Sequence, residues 1–127
     1  MAYDVALAQR IANVLKGRSG IEQKHMFGGV CFLSRGHMCC GVAGKKLMVR
    51  VGPERYEAAL RKPYARPMDL TGRPLRGFVF VMPQGLRGQN ALATWVDLGL
   101  RYATSLPAKR TSLWQEHQQG GRTWRNT

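Results

Sequence analysis

Apolar positions along the chain change spacing near residue 20, and the change divides helix from sheet. Leu7, Ile11, Val14 and Leu15 recur at helical intervals behind Asp4, a side chain suited to capping, and Gly17 closes the segment. From Ile21 the pattern shortens. Ile21 to His25 reads as an edge strand, and Gly28-Gly29 supply a bend. Val30–Ser34, His37–Ala43 and Lys46–Val51 follow as three strands separated by Arg35-Gly36 and Gly44-Lys45. Glycine at the first central position of Gly44-Lys45 suits a type II′ hairpin turn. Arg35 stands where positive φ is preferred, so a longer turn is expected there.

Unbroken two-residue turns would set Leu33 opposite Met38, Cys31 opposite Cys40, Val42 opposite Leu47 and Cys40 opposite Val49. One face then collects Cys31, Leu33, Met38, Cys40, Val42, Leu47, Val49 and Val51 as the core side. The other collects Phe32, Ser34, His37, Cys39, Met48 and Arg50, a mixed surface free to meet water or a partner.

Beyond the meander, Gly52-Pro53-Glu54 opens a short helix that ends at Leu60, before Pro63. Residues 61–77 carry Pro63, Pro67, Pro74, Gly72 and Gly77, and no regular element is expected there. Phe78–Met82 is a strongly β-prone run closed by Pro83. Asn90 is the expected cap of a last helix reaching about Ser105, with Leu92, Trp95, Val96, Gly99, Tyr102 and Ala103 on its apolar face. The sum is an α+β single domain: an antiparallel β-sheet of about four to six strands with the first and last helices packed on one face. Residues 1–106 form that domain. Residues 107–127 are a basic, Gln-rich tail in which Trp114 and Trp124 stand apart.

Composition adds a partner class and removes others. An apolar share of 44% fits a folded domain. No run is long enough to span a bilayer and the N-terminus has no export signal, so a cytoplasmic location and no membrane partner are expected. Lys and Arg number 20 against 7 Asp and Glu, a net charge of +13, which points towards polyanions. Arg61, Lys62, Arg66, Arg73 and Arg76 crowd the 61–77 loop beside the single acid Asp69, expected to pair with an arginine, and are the best phosphate-binding candidates.

Catalytic and metal chemistry find little support. His25, Cys31, His37, Cys39 and Cys40 cluster in sequence, but neighbouring Cys39 and Cys40 on a regular strand point to opposite faces. They cannot share one tetrahedral ion without a bulge, so no metal and no cofactor are expected. Cys39 with His37 lacks an acid to orient the base, and no matched carboxylate pair or phosphate-cradling glycine motif occurs. The chain is expected not to be an enzyme.

Three patches resemble one family. Met26-Phe27-Gly28-Gly29 with the following strands, the run Arg66 to Val81, and the helix end Tyr102 to Lys109 are similar to the N-terminal domain of the TfoX family, known from regulators of natural competence for DNA uptake. The resemblance implies a stand-alone, non-enzymatic regulatory or adaptor domain connected to transcription or DNA metabolism. Two modes of action follow. In the first the domain binds a protein partner, a homodimer included, through Phe32, His37, Cys39, Met48 and Arg50 or through an edge strand. In the alternative it is a nucleic-acid-binding module acting through the basic loop.

Overall fold

A computed structural model describes residues 3–26, 28–69 and 72–107. Residues 108–127 of the basic tail, with Trp114 and Trp124, lie outside the described residues. Helix α1 (Val5–Leu15) starts where expected: Asp4 Oδ1 accepts from the Leu7 N–H at 3.1 Å. Its apolar stripe of Leu7, Ile11 and Leu15 is buried. Strands β1 (Ile21–Met26), β2 (Gly29–Ser34), β3 (His37–Ala43) and β4 (Lys46–Arg50) form the meander. Helix α2 (Tyr56–Leu60) follows, then β5 (Ala65–Asp69), β6 (Pro74–Val81), a 3-10 turn over Pro83–Leu86, and α3 (Gln89–Ser105).

All six strands belong to one antiparallel sheet in the order β1-β2-β3-β4-β6-β5. The expected α+β architecture therefore holds. Helices α1 and α3 lie on the same face, where Ile11, Leu92 and Val96 meet Phe32, Cys40, Val42, Leu47, Val49 and Val79. Tyr56 and Ala59 of α2 join that cluster. Arg10 holds the two long helices in step, its Nη2 donating to Leu86 O at 2.6 Å and its Nε to Gln89 Oε1 at 3.1 Å.

Several local expectations need correction. The 61–77 stretch is not a loop, because it contains β5 and the first half of β6. Pro67 is compatible with β5 because that strand is an outer edge, where a missing N–H breaks no ladder bond. Gly88, not Asn90, occupies the cap position of α3. The Arg35-Gly36 turn is short after all, with Ser34 paired to His37. Arg35 accepts φ +49°, ahead of Gly36 at φ +89°. The sign pair belongs to a type I′ turn, and Arg35 is held there by Gly20 O, which its N–H meets at 2.9 Å, and by Thr104 O at 3.2 Å from Nη2.

The largest correction concerns which residues of β2 and β3 face the helices. Leu33 pairs with Met38 as expected, but Phe32 pairs with Cys40 and Cys31 with Gly41. An extra residue, Cys39, is accommodated there as a β-bulge. Beyond the bulge the alternation reverses. Phe32 and Cys39 belong to the core under the helices with Cys40, while Cys31, Leu33 and Met38 belong to a second cluster on the opposite face with Met48, Met68 and Phe80. Strand β4 kept its expected orientation because its hairpin with β3 closes beyond the bulge, with Ala43 opposite Lys46.

Candidate interaction surface

The basic residues of the 61–77 stretch are close in sequence and separate in space. Arg61 and Lys62 follow the end of α2, and Lys62 Nζ sits 5.0 Å from the centre of the Trp95 ring. Arg76 turns to the helix side, 3.6 Å from Glu57 Oε2 and 5.5 Å over the Tyr56 ring. Arg66 pairs across the ladder with Phe80, which places it on the face opposite the helices, and its Nη1 donates to Ala65 O at 2.9 Å. Arg73 is exposed in the bend before β6. Asp69 engages backbone rather than an arginine, its Oδ1 accepting from the Gly72 N–H at 2.7 Å. The five cations therefore do not line one groove.

The second expected surface is also dispersed. Phe32 and Cys39 are buried beneath the helices, and Met48 is buried in the opposite cluster. His37 Nε2 donates to Pro107 O at 2.6 Å. Arg50 spans the rings of Phe78 and Tyr102, at 5.5 and 5.2 Å. The bulge that reversed the β2 face is the physical cause. The apolar face opposite the helices is itself closed: Phe80 is 7% exposed, with Lys46 Nζ lying 4.3 Å over its ring.

Cys31 and Cys40 sit in settings that suppress nucleophilicity. The bulge brings both Cys39 and Cys40 to the helix side, with their Sγ atoms 3.7 Å apart and Cys39 Sγ 4.0 Å from Val96 O. The hydrogen bond between the Cys39 and Cys40 sulfurs, burial, and the neighbouring thiols hold the Cys40 thiol well above its ordinary range. Burial alone pushes the Cys31 thiol up to about 11. All three cysteines are free, and Cys31 lies on the opposite face of the sheet from Cys40 despite the pairing expected of an unbroken register. Among the described residues no group of three or more His, Cys, Asp and Glu could hold a metal ion. A groove of about 490 Å³ between α1 and α3 is bordered by Arg18, Asp97 and Arg101, but Asp97 and Arg101 are already paired at 2.9 Å.

What remains is the β1 edge. Glu22, Gln23, Lys24 and His25 are all exposed, so side chains on both faces of this strand meet solvent. Backbone geometry fixes which groups are free. Gly20 O accepts from the Arg35 N–H at 2.9 Å, one step before the Ile21–Ser34 pair. Alternation along an antiparallel ladder then places the bonds to β2 at Glu22, Lys24 and Met26. The N–H and C=O groups of Ile21, Gln23 and His25 point outward. The opposite edge is defended by Pro67 and by an irregularity between Pro67 and Asp69. Sequence reasoning found an edge strand at Ile21–His25 but did not single it out. The signal was the polar run Glu22-Gln23-Lys24-His25, which leaves neither parity apolar.

No helix among the described residues is long and apolar enough to cross a membrane. Comparison with curated proteins and with solved structures gave no match. A family model does match: the TfoX N-terminal domain aligns with residues 13–103, from the second half of α1 to near the end of α3, and the chain belongs to that family.

Proposed function

We propose that this domain is a non-enzymatic regulatory adaptor that acts by binding protein, with the open edge of β1 as its docking element. One observation carries this reading: β1 is exposed on both faces and presents a row of backbone donors and acceptors unpaired among the described residues, while the other sheet edge is closed by proline. Family membership supports a regulatory role of the kind implied by the resemblance to competence regulators. The raised thiol pKa values support a role other than nucleophilic catalysis, since the thiolate is the reactive form.

A charge of +13 favours the nucleic-acid alternative, and the separation of Arg66 from Arg76 across the two faces weighs against a single phosphate-binding site. A titration of fluorescent duplex and single-stranded DNA at two salt concentrations tests the choice, run beside the R66A/R73A/R76A variant. The adaptor reading expects weak association that disappears at moderate salt in both proteins alike. Binding that survives moderate salt and is lost in the variant would replace it with a nucleic-acid module.

A further inference from the structure

We propose that β1 pairs with β1 of a second copy, antiparallel about a two-fold axis through Gln23, to make one sheet continuous across two protomers. The proposal rests on the interaction reading above and names the partner.

Symmetry restricts the register before any side chain is considered. If both helix layers are to lie on the same side of the joined sheet, the two-fold axis is normal to it. Residues opposed across an antiparallel ladder share a face, and faces alternate along the strand. Such an axis must therefore set one residue opposite its own copy. The outward-pointing backbone groups accept any such centre, because Ile21, Gln23 and His25 then oppose one another, and the side chains choose among the centres. With Gln23 at the centre, Gln23 faces Gln23, and Ile21 faces His25 on either side. These are the residues whose N–H and C=O groups are directed away from β2, so each pair exchanges both bonds.

The side chains agree with that register. Glu22 falls opposite Lys24 of the second copy, and Lys24 opposite its Glu22, both on the face away from the helices, where their β2 partners are Leu33 and Cys31. Centring on Lys24 would instead set Lys24 against Lys24, and centring on Glu22 would oppose two carboxylates, both unfavourable. On the helix side, Ile21 would meet His25 and the Tyr3 ring that lies 6.1 Å from it. The exposure of Glu22, Gln23, Lys24 and His25 leaves room on both faces for the second strand. A foreign strand could use the same backbone groups, but the placing of opposite charges about one residue is what self-pairing requires.

Sedimentation equilibrium on the full chain at about 0.15 M salt tests this. The wild type is expected to dimerise, E22K and K24E each to weaken the dimer by about tenfold, and the double variant E22K/K24E to restore it. Gln23→Cys is expected to give a disulfide-linked dimer on mild oxidation, because directly bonded positions lie about 5.5 Å apart between Cα atoms. His25→Cys, facing Ile21, is expected not to. Each substitution is at an exposed position, so loss of fold does not confuse the outcome. A wild type that stays monomeric at every concentration overturns the self-pairing and leaves a foreign partner at this edge. A dimer indifferent to the charge swap and not trapped at position 23 overturns it by placing the interface elsewhere. Neither result resembles failure of the adaptor reading itself, which would appear as salt-resistant DNA binding lost in the triple arginine variant.

Discussion

Gly99 is where the sheet's irregularity reaches the helix layer. A Cβ built on it would lie 2.2 Å from Cys39 O, the carbonyl of the bulged residue, and 3.3 Å from Val49 Cγ1. Alanine at a helix-interior glycine ordinarily gains about 1 kcal/mol in propensity. Here the obstacle is a backbone carbonyl fixed by the sheet, and overpacking against it costs more than that gain. Gly99→Ala should lower stability by about 1–2 kcal/mol net, read from the midpoint of urea unfolding at unchanged slope. Cys31 supplies a second test at this scale. Its thiol is raised from 9.0 to about 11, so the folded state binds the proton more tightly than the unfolded chain. The linked stability is fully present below about pH 9 and is lost as pH rises through 11. The stability gap between wild type and Cys31→Ala should therefore narrow between about pH 8 and pH 10.5 in urea unfolding; a constant gap would refute the assignment.

Among elements, β1 shows how much a ladder's phase decides. The Gln23 N–H points outward and the Lys24 N–H points to β2, as the bond between Arg35 N–H and Gly20 O requires. Proline at position 24 should cost about 1–3 kcal/mol more than proline at position 23, measured by urea unfolding of dilute protein. Equal costs would mean the phase is wrong. Much of this level was legible in the sequence. The helical spacing of Leu7, Ile11 and Leu15, the Asp4 cap, the Gly44-Lys45 hairpin and the β-prone run from Phe78 each rest on local chemistry, and each stands in the structure. Strand β5 was not legible because Pro67 and its basic neighbours carry loop chemistry, and only its position at the sheet edge makes proline acceptable. The facing of Phe32 was not legible either. One inserted residue reverses a period-two pattern, and nothing in Met38-Cys39-Cys40 announces which residue is extra. The candidate site suffered from the same limits. Phe32, Cys39 and Met48 were grouped by an alternation that the bulge breaks, and five cations were grouped by proximity along a chain that then folds them onto different sides.

Across the whole molecule, the excess of positive charge acts as a field more than as a site. Several cations are engaged with aromatic rings: Lys46 with Phe80, Arg50 with Phe78 and Tyr102, Lys62 with Trp95, and Arg76 with Tyr56. These contacts hold the side chains over apolar surface on both sides of the sheet. A charge of +13 distributed in this way attracts any polyanion through counterion release, with a strength set by how many cations approach it. The consequence separates field from site. Removing Arg66, Arg73 and Arg76 takes three positive charges from the 61–77 stretch. Removing the exposed Lys16, Arg18 and Arg87 takes three from the helix ends and the α3 approach. If the charge is only a field, the K16A/R18A/R87A and R66A/R73A/R76A variants should elute from heparin at similarly reduced salt. Their plots of log affinity for duplex DNA against log salt should also flatten alike, by no more than about 3 in slope. A markedly larger loss in R66A/R73A/R76A would show that these arginines converge on a phosphate backbone despite lying on different sides of the sheet. The β1 edge would then be a secondary feature of a nucleic-acid-binding domain.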